Sequence, residues 1–373
     1  MNVAHSGDSH PARSASLLRI HLVARKTMTY RYFLWDWGEA IATEGLLAAT
    51  AATGEPEYYR WVTRKIDQWI DRSPEPFWPD HVGPGVALIE YCRHSGQAHL
   101  LRYARMLAAH LEGLPRARTG ARLHRPDKGD IARLVWVDSM QTDAPFLCAL
   151  GQVTGEIRYY DQAADHLAGQ VVTLQDEREG LFYHNYSDET GQTNGVFWGR
   201  GNGWAALGLA ATLARLPAEH PRREWLAERF RVQVGALLKH QDASGGWHTV
   251  LDRRRTPLET SATLMVAHAL ALGNQAGVLG EEVQASMDRA WAGVGQALDA
   301  SGVVQGVSER TPPRQDAESY ERRSHRGPHA WPWGQGPWLL EACRRFSEGK
   351  AAFSGQQSAI SPGARPVPPE AER

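Results

Sequence analysis

Between about Trp35 and Phe346, apolar residues recur three and four positions apart, and short glycine-bearing turns interrupt the recurrence. Thr53-Gly54 leads into EPEYYRWVTRKIDQWI, Ser95-Gly96 into QAHLLRYARMLAAHLEGL, and Thr154-Gly155 into EIRYYDQAADHLAGQVV. In each unit an apolar helix precedes the glycine and an amphipathic helix follows it. The glycine ends the first helix in a conformation costly to other residues, and the second returns antiparallel. These are predicted helical hairpins. A looser one runs from GWAALGLAATLARL to REWLAERFRVQVGALL with Pro221 as an early-helix residue near the start of the second helix, another from SATLMVAHALALG to GEEVQASMDRAWAGVGQAL, and GQGPWLLEACRRF forms a last apolar helix. The pattern predicts about eleven helices and almost no strand. Hairpins with broad apolar faces bury them by stacking, as an open solenoid or a closed ring.

The segments between hairpins favour the ring. PEPFWPDHVGP, RARTGARLHRPDKGDIARLVWVD, DEREGLFYHNYSDETGQTNGVFWGRGNGW, QDASGGWHTVLDRRRTPLET and the stretch from ASGVVQG to WPWGQGP are long, irregular and aromatic, whereas the turns within hairpins are short. All the long loops then fall at one end of the assembly, as a pocket at one mouth of a toroid requires.

The ends of the chain read differently. Residues 1–30 are polar and basic, with an apolar patch interrupted by Arg19 and His21, and are expected to be disordered or to lie upstream of the true start, for which Met28 is a candidate. Residues 31–346 form the expected catalytic domain, and 347–373, rich in Pro, Gly and Ala, are expected to be a disordered tail. A formal charge of -1 supplies no basic field for nucleic acid. No apolar run reaches the length of a membrane span. Cys92, Cys148 and Cys343 are widely spaced in apolar surroundings, which fits buried thiols and a cytoplasmic location.

Candidate chemistry lies in the loops. Of 14 tryptophans, Trp78, Trp136, Trp198, Trp204, Trp247, Trp331 and Trp333 fall in or beside them. Aromatic faces stack on the C–H surfaces of sugars, although a tryptophan at a helix end also serves as core. Asp80 and Asp138 each precede an apolar helix, so each is either an N-cap or a carboxyl whose enclosure raises its pKa as a general acid requires. Asp143, one turn beyond Asp138, is read as support for the helix or pocket wall. Arg200 sits among the glycines of WGRGNGW, which lacks the features of a phosphate loop. His184 and His248 lack metal-ligand spacing and are read as hydrogen-bonding groups. No cofactor or metal is expected.

The strings WVDSMQTDAPFL, GLFYHNYSDETG, FWGRGNGWAALGL, QDASGGWHTVLD, LETSAT and AWPWGQGPWLL, in that order, resemble the unsaturated glucuronyl and rhamnogalacturonyl hydrolases of glycoside hydrolase family 105, related to family 88. The resemblance implies an (α/α)6 barrel and a substrate with a 4,5-unsaturated uronic acid at its non-reducing end, the product of polysaccharide lyases. It further implies that an aspartate protonates C4 of the vinyl ether while water adds at C5, after which the hemiketal opens and releases the aglycone. Asp138 matches the family's proton donor and Asp80 its second carboxylate. The resemblance places His184, Trp198, Arg200 and Trp204 in the site, with His124, Trp247, His248 and Trp333 as further substrate contacts. Where relatives carry GGFWH this chain has Gly120-Ala121-Arg122-Leu123-His124, which leaves the aglycone open and offers Arg122 as a contact to a more anionic sugar. Another toroidal enzyme (a saturated-sugar glycosidase, lyase or epimerase) or a noncatalytic sugar-binding protein are the competing classes.

Overall fold

The computed structural model describes residues 10–30, 35–72, 82–295, 297–313, 316–323, 325 and 329–359. Its helices are α1 His10–Met28, α2 Trp37–Thr53, α3 Pro56–Asp71, α4 Gly85–Ser95, α5 Leu101–Gly113, α6 Ser139–Thr154, α7 Ile157–Leu174, α8 Gly199–Leu213, α9 Arg223–His240, α10 Thr260–Gln275, α11 Gln284–Val294, the short α12 Ala317–Glu321, and α13 Pro332–Ala359. Helices α2, α4, α6, α8, α10 and α13 pack each against the next, and α13 returns to α2, so they close an inner ring. Helices α3, α5, α7, α9 and α11 back α2, α4, α6, α8 and α10, and α1 packs against α13 and α2. The result is an (α/α)6 barrel.

Local sequence accounts for the turns. Gly54, Gly96 and Gly155 adopt left-handed backbone at the ends of α2, α4 and α6, and each returns its N–H to the preceding turn. The inner helices are apolar nearly all round because they touch neighbours on every side, whereas the outer helices α3, α5 and α7 keep one polar face.

Two expectations about the ends are corrected. Residues 10–28 are helical, and Ile20, Val23, Ala24 and Thr27 are buried at helical spacing, so this segment supplies the twelfth helix of the barrel. The interruptions at Arg19 and His21 fall on its other faces. At the far end α13 continues past 346 to Ala359, and 360–373 lie outside the described residues.

Connections from outer to inner helices, such as 114–138, 175–198 and 241–259, are long and meet at one mouth; the inner-to-outer turns at the other end are short. Every inner helix therefore presents its N-terminus to the loop-bearing mouth, and the partial positive ends of six helices converge there. The small amount of strand also serves this end: β1 Leu134–Trp136, β2 Asn185–Ser187 and β3 Gln192–Thr193 form an antiparallel sheet in that order.

Candidate active site

The sheet sets the first distance in the site. Trp136 pairs with Asn185 at the end of β1, and the ladder runs one step further as Val137 N–H donates to His184 O at 3.0 Å. Asp138 follows at the entrance to α6 and its carboxylate comes beside the His184 ring, with Oδ2 3.4 Å from Nε2. Its side chain makes no capping hydrogen bond to α6. The capping reading of Asp138 is thereby excluded, and the carboxylate is directed into the barrel mouth.

Around this pair the aromatic loops close in. His124 stacks on Trp136 with ring centres 4.2 Å apart, and Trp198 lies 4.4 Å from His184. Trp204 meets Trp37 edge-on at 5.6 Å, Trp37 meets Trp333 at 4.7 Å, and Trp331 stacks on Trp333. The indole N–H groups of Trp136, Trp198 and Trp204 and both polar atoms of Asn185 are buried without a hydrogen bond among the described residues. Native interiors leave few such groups bare, and a gathering of them at one place marks where a polar ligand completes the bonding.

Burial alone would raise the pKa of Asp138. The contact with His184 and the electrostatic influence of His184, His124 and Arg200 outweigh it and hold the carboxyl below its ordinary value. The apolar enclosure expected to keep this group protonated is thus overruled by its polar neighbours.

Arg200 is held by several acceptors. It is fully buried, and it donates to Ser308 O at 3.0 Å, Ser308 Oγ at 2.5 Å, Glu309 O at 2.9 Å, Thr311 Oγ1 at 3.2 Å and Glu259 Oε1 at 3.4 Å. Its guanidinium lies 4.6 Å from the Trp198 ring centre, and its Nε is buried without a hydrogen bond among the described residues. Glu259, which sequence reasoning passed over, explains the LETSAT string: it caps α10 through Ala262 N–H, takes the Ser261 hydroxyl, and accepts Ser308 N–H at 2.8 Å.

The remaining assignments divide. His124, His184, Trp198, Trp204 and Trp333 belong to the walls just described. Trp247 does not: its ring is fully buried and its Nε1 donates to Leu237 O of α9 at 2.8 Å, so it is core. His248 lies in the loop behind Trp198, bonded to Thr256 O through Nδ1 and 3.6 Å from Asp242. Arg122 is buried at 1% exposure, with Asp143 among the acids that offset its burial, and its three guanidinium nitrogens have no hydrogen bond among the described residues. Asp143 is itself buried, accepts from Thr142 Oγ1 and lies 3.8 Å from His166, in keeping with support for α6. Asp80 and Trp78 lie outside the described residues.

Sequence reasoning also missed Tyr320, Asn194, Asp36 and Arg310. Tyr320 reaches His184 from α12. Asp36 caps α2 and pairs at 2.6 Å with Arg310, whose half-exposed guanidinium lies 5.2 Å from the Trp37 ring and 5.9 Å from that of Trp333. Among the described residues no three His, Cys, Asp or Glu side chains converge as metal ligands.

The model of Glycosyl Hydrolase Family 88 matches residues 20–347. The chain belongs to that family. As a family 88 protein it is a glycoside hydrolase, and its relatives share both sequence and shape. It is 29% identical over 308 residues to the unsaturated rhamnogalacturonyl hydrolase YesR of Bacillus subtilis (strain 168), covering 82% of this chain and 87% of that protein. The unsaturated 3S-rhamnoglycuronyl hydrolase of Alteromonas sp. (strain LOR) is 25% identical over 182 residues, 47% of this chain and 44% of that one. A solved structure of a possible member of family 105 from Klebsiella pneumoniae superposes with a TM-score of 0.82 at 21% identity, over 93% of this chain and 99% of that chain. The family 88 match starts inside α1, in agreement with that helix belonging to the barrel.

Proposed function

We propose that this hydrolase removes a 4,5-unsaturated uronic acid from the non-reducing end of an oligosaccharide left by a polysaccharide lyase, by hydrating the C4=C5 vinyl ether. The observation that carries the reading is the buried carboxylate of Asp138 set beside His184, with unbonded indole N–H groups and the Asn185 amide among the described residues. A uronyl ring offers hydroxyl and carboxylate oxygens to those donors and an apolar face to the indoles. The relatives named as unsaturated rhamnogalacturonyl and rhamnoglycuronyl hydrolases support the same substrate class.

In this reading Asp138 gives a proton to C4, and positive charge develops at C5 and the ring oxygen. Water adds at C5 and gives its proton to the Asp138 carboxylate, and the resulting hemiketal opens with release of the aglycone. The substrate carboxylate is met at the mouth by Arg310 and by the converging helix N-termini, since Arg200 is committed to Ser308, Glu309, Thr311 and Glu259. Asp138 is held toward its ionised form in the free enzyme. Entry of a uronate into the same enclosed space is a like charge and a further loss of water, both of which raise the Asp138 pKa and arm it as an acid. The substrate thereby prepares its own proton donor.

The test is loss of the ultraviolet absorbance of the conjugated chromophore on unsaturated uronyl disaccharides of several linkages. The wild-type enzyme is expected to abolish it, and Asp138→Asn to slow the loss by on the order of 10² to 10⁴. Absorbance that rises on a saturated polysaccharide would identify a lyase, and absorbance that never changes would remove the proposal.

A further inference from the structure

Antiparallel pairing aims the N–H and C=O of every second residue away from the partner strand. The segment entering β2 pairs on one edge with residues 174–176 at the end of α7, where Asp176 N–H donates to Leu181 O and Tyr183 N–H to Leu174 O, both at 2.9 Å. The peptide groups of Phe182 therefore face the other edge. There they meet a side chain instead of a strand: Phe182 N–H donates to Asn202 Oδ1 at 2.8 Å, and Asn202 Nδ2 donates to Phe182 O at 2.9 Å and to Trp198 O at 3.1 Å. An N–H requires the amide oxygen and the two carbonyls require its NH2, so these contacts fix which way the amide is turned.

We propose that Asn202 is a positioning residue for the reaction, clamping the Phe182 and Trp198 backbones so that the His184 ring is held against Trp198 and beside the Asp138 carboxylate. The inference rests on the assignment of Asp138 as the acid and adds to it a group that touches neither substrate nor Asp138.

The surroundings support the role. Phe182 lies two residues ahead of His184, whose ring is 4.4 Å from that of Trp198 and whose Nε2 is 3.4 Å from Asp138 Oδ2. One amide thus ties together the two segments that supply these rings. Asn202 has no exposed surface, and Gln233 of α9 holds its backbone carbonyl at 3.0 Å. The glycines beside it let the parts come this close: a methyl at Gly201 would stand 2.9 Å from the Trp198 ring and 3.0 Å from the Val137 side chain, and one at Gly199 would stand 2.3 Å from the His248 carbonyl. The WGRGNGW string is accounted for in this way, with Asn202 as its clamp. His184 is also the first of the groups that hold the Asp138 carboxyl below its ordinary value, ahead of His124 and Arg200, so its placement bears on the acid directly.

The experiment has two readouts. Asn202→Asp keeps the shape and the acceptor for Phe182 N–H but sets an oxygen against the carbonyls of Phe182 and Trp198. In protein carrying ¹³C-histidine, the ring-proton signals of His184, assigned with His184→Gln, are expected to be displaced by the Trp198 ring current in the wild type and to move toward those of free histidine in the variant. On an unsaturated uronyl disaccharide, kcat at its pH optimum should fall roughly tenfold to a hundredfold, as misplacement of a reacting constellation does, with a smaller change in KM. The alkaline limb of kcat should move upward by about one pH unit, because His184 withdraws from Asp138 while His124 and Arg200 remain. Should Asn202→Asp not fold, Asn202→Ser, whose shorter side chain leaves room for water at the freed peptide groups, carries the same expectations. A folded variant that loses stability alone, with the His184 signals or the pH profile of the wild type, overturns the inference. The histidine signals are read without turnover, so the two claims separate. Full activity in Asp138→Asn defeats the catalytic assignment, whereas an inactive Asp138→Asn beside unmoved Asn202 variants defeats only this one.

Discussion

The guanidinium carbon of Arg200 lies 4.6 Å from the centre of the Trp198 ring, and the arginine itself has no exposed surface. Its charge also helps to hold the Asp138 carboxyl toward its ionised form. Its partner Glu259 is equally buried, so removing the arginine leaves a carboxylate enclosed without its counter-charge. Arg200→Ala is therefore expected to lose roughly 3–5 kcal/mol of stability, read by urea unfolding. A variant with normal stability and only a raised KM would show that Arg200 contacts substrate after all.

Arg310 carries the opposite expectation. Its side chain is 47% exposed, and it keeps α2 capped only indirectly, through Asp36. Arg310→Gln should leave unfolding unchanged while raising KM about tenfold or more for a uronate, as loss of a charge-assisted hydrogen bond does. The methyl ester of the same disaccharide separates charge from shape: equal losses on acid and ester would place Arg310 outside carboxylate recognition.

Substrate-driven protonation of Asp138 makes a calorimetric prediction. Binding of an unreactive uronate analogue at a pH where the free Asp138 is ionised should take up protons, so its apparent enthalpy should vary with the ionisation enthalpy of the buffer. Asp138→Asn should bind with an enthalpy that no longer depends on buffer. Proton uptake that survives in the variant would point to a different group.

Helices α6 and α8, the first preceded by Asp138 and the second carrying Arg200 in its first turn, meet where Gly208 packs against the backbone of Met140. A methyl at Gly208 would collide with the Met140 carbonyl, and neither backbone can yield without moving its helix. Gly208→Ala should cost about 1–3 kcal/mol and lower kcat as well, because the two helices bring opposite walls of the site together. Thermal melts and turnover measured on one preparation check both halves.

Glu341 gives the pH dependence of stability its clearest handle. Its burial would raise the pKa, but Arg344 and His268 hold it down at about 2, with Arg345 also donating to it. A depressed carboxyl stabilises the fold above its unfolded value of about 4.3 and loses that contribution as pH falls toward the folded value. Glu341→Gln should therefore be less stable than wild type at neutral pH by roughly 3 kcal/mol, and the gap should close between about pH 4.5 and 2. A gap independent of pH would contradict the assignment.

How much of this was legible in the chain varies with the physics behind each element. Glycine-ended hairpins and the one-sided distribution of loops could be read because turn chemistry and helical period are local. Helix α1 could have been found: Ile20, Val23, Ala24 and Thr27 recur at helical spacing, but the polar composition around them outweighed four positions. Asp138 and His184 stood in recognisable strings, whereas their 3.4 Å contact depends on the β1–β2 register. The burial of Arg200 was hidden because its acceptors, Glu259 and the carbonyls of Ser308 and Glu309, come from loops far along the chain. Tyr320 lies in the polar stretch DAESYERR, where nothing periodic signals that one side chain turns inward.

Closure of the ring has a temporal consequence. Gly45 of α2 lies so close to Gly336 of α13 that an added methyl would stand 2.8 Å from the Gly336 carbonyl, and α1 fits against both helices. The first and last parts of the barrel to be synthesised are thus direct neighbours. During translation at roughly 5–20 residues per second, the apolar flank of α2 waits on the order of tens of seconds for its partner. No partial ring can satisfy it, unlike an open solenoid, whose early repeats are stable once stacked. The enzyme accordingly matures only after α13 has left the ribosome, and nascent chains stalled before that helix are expected to remain bound to chaperones instead of forming a smaller barrel.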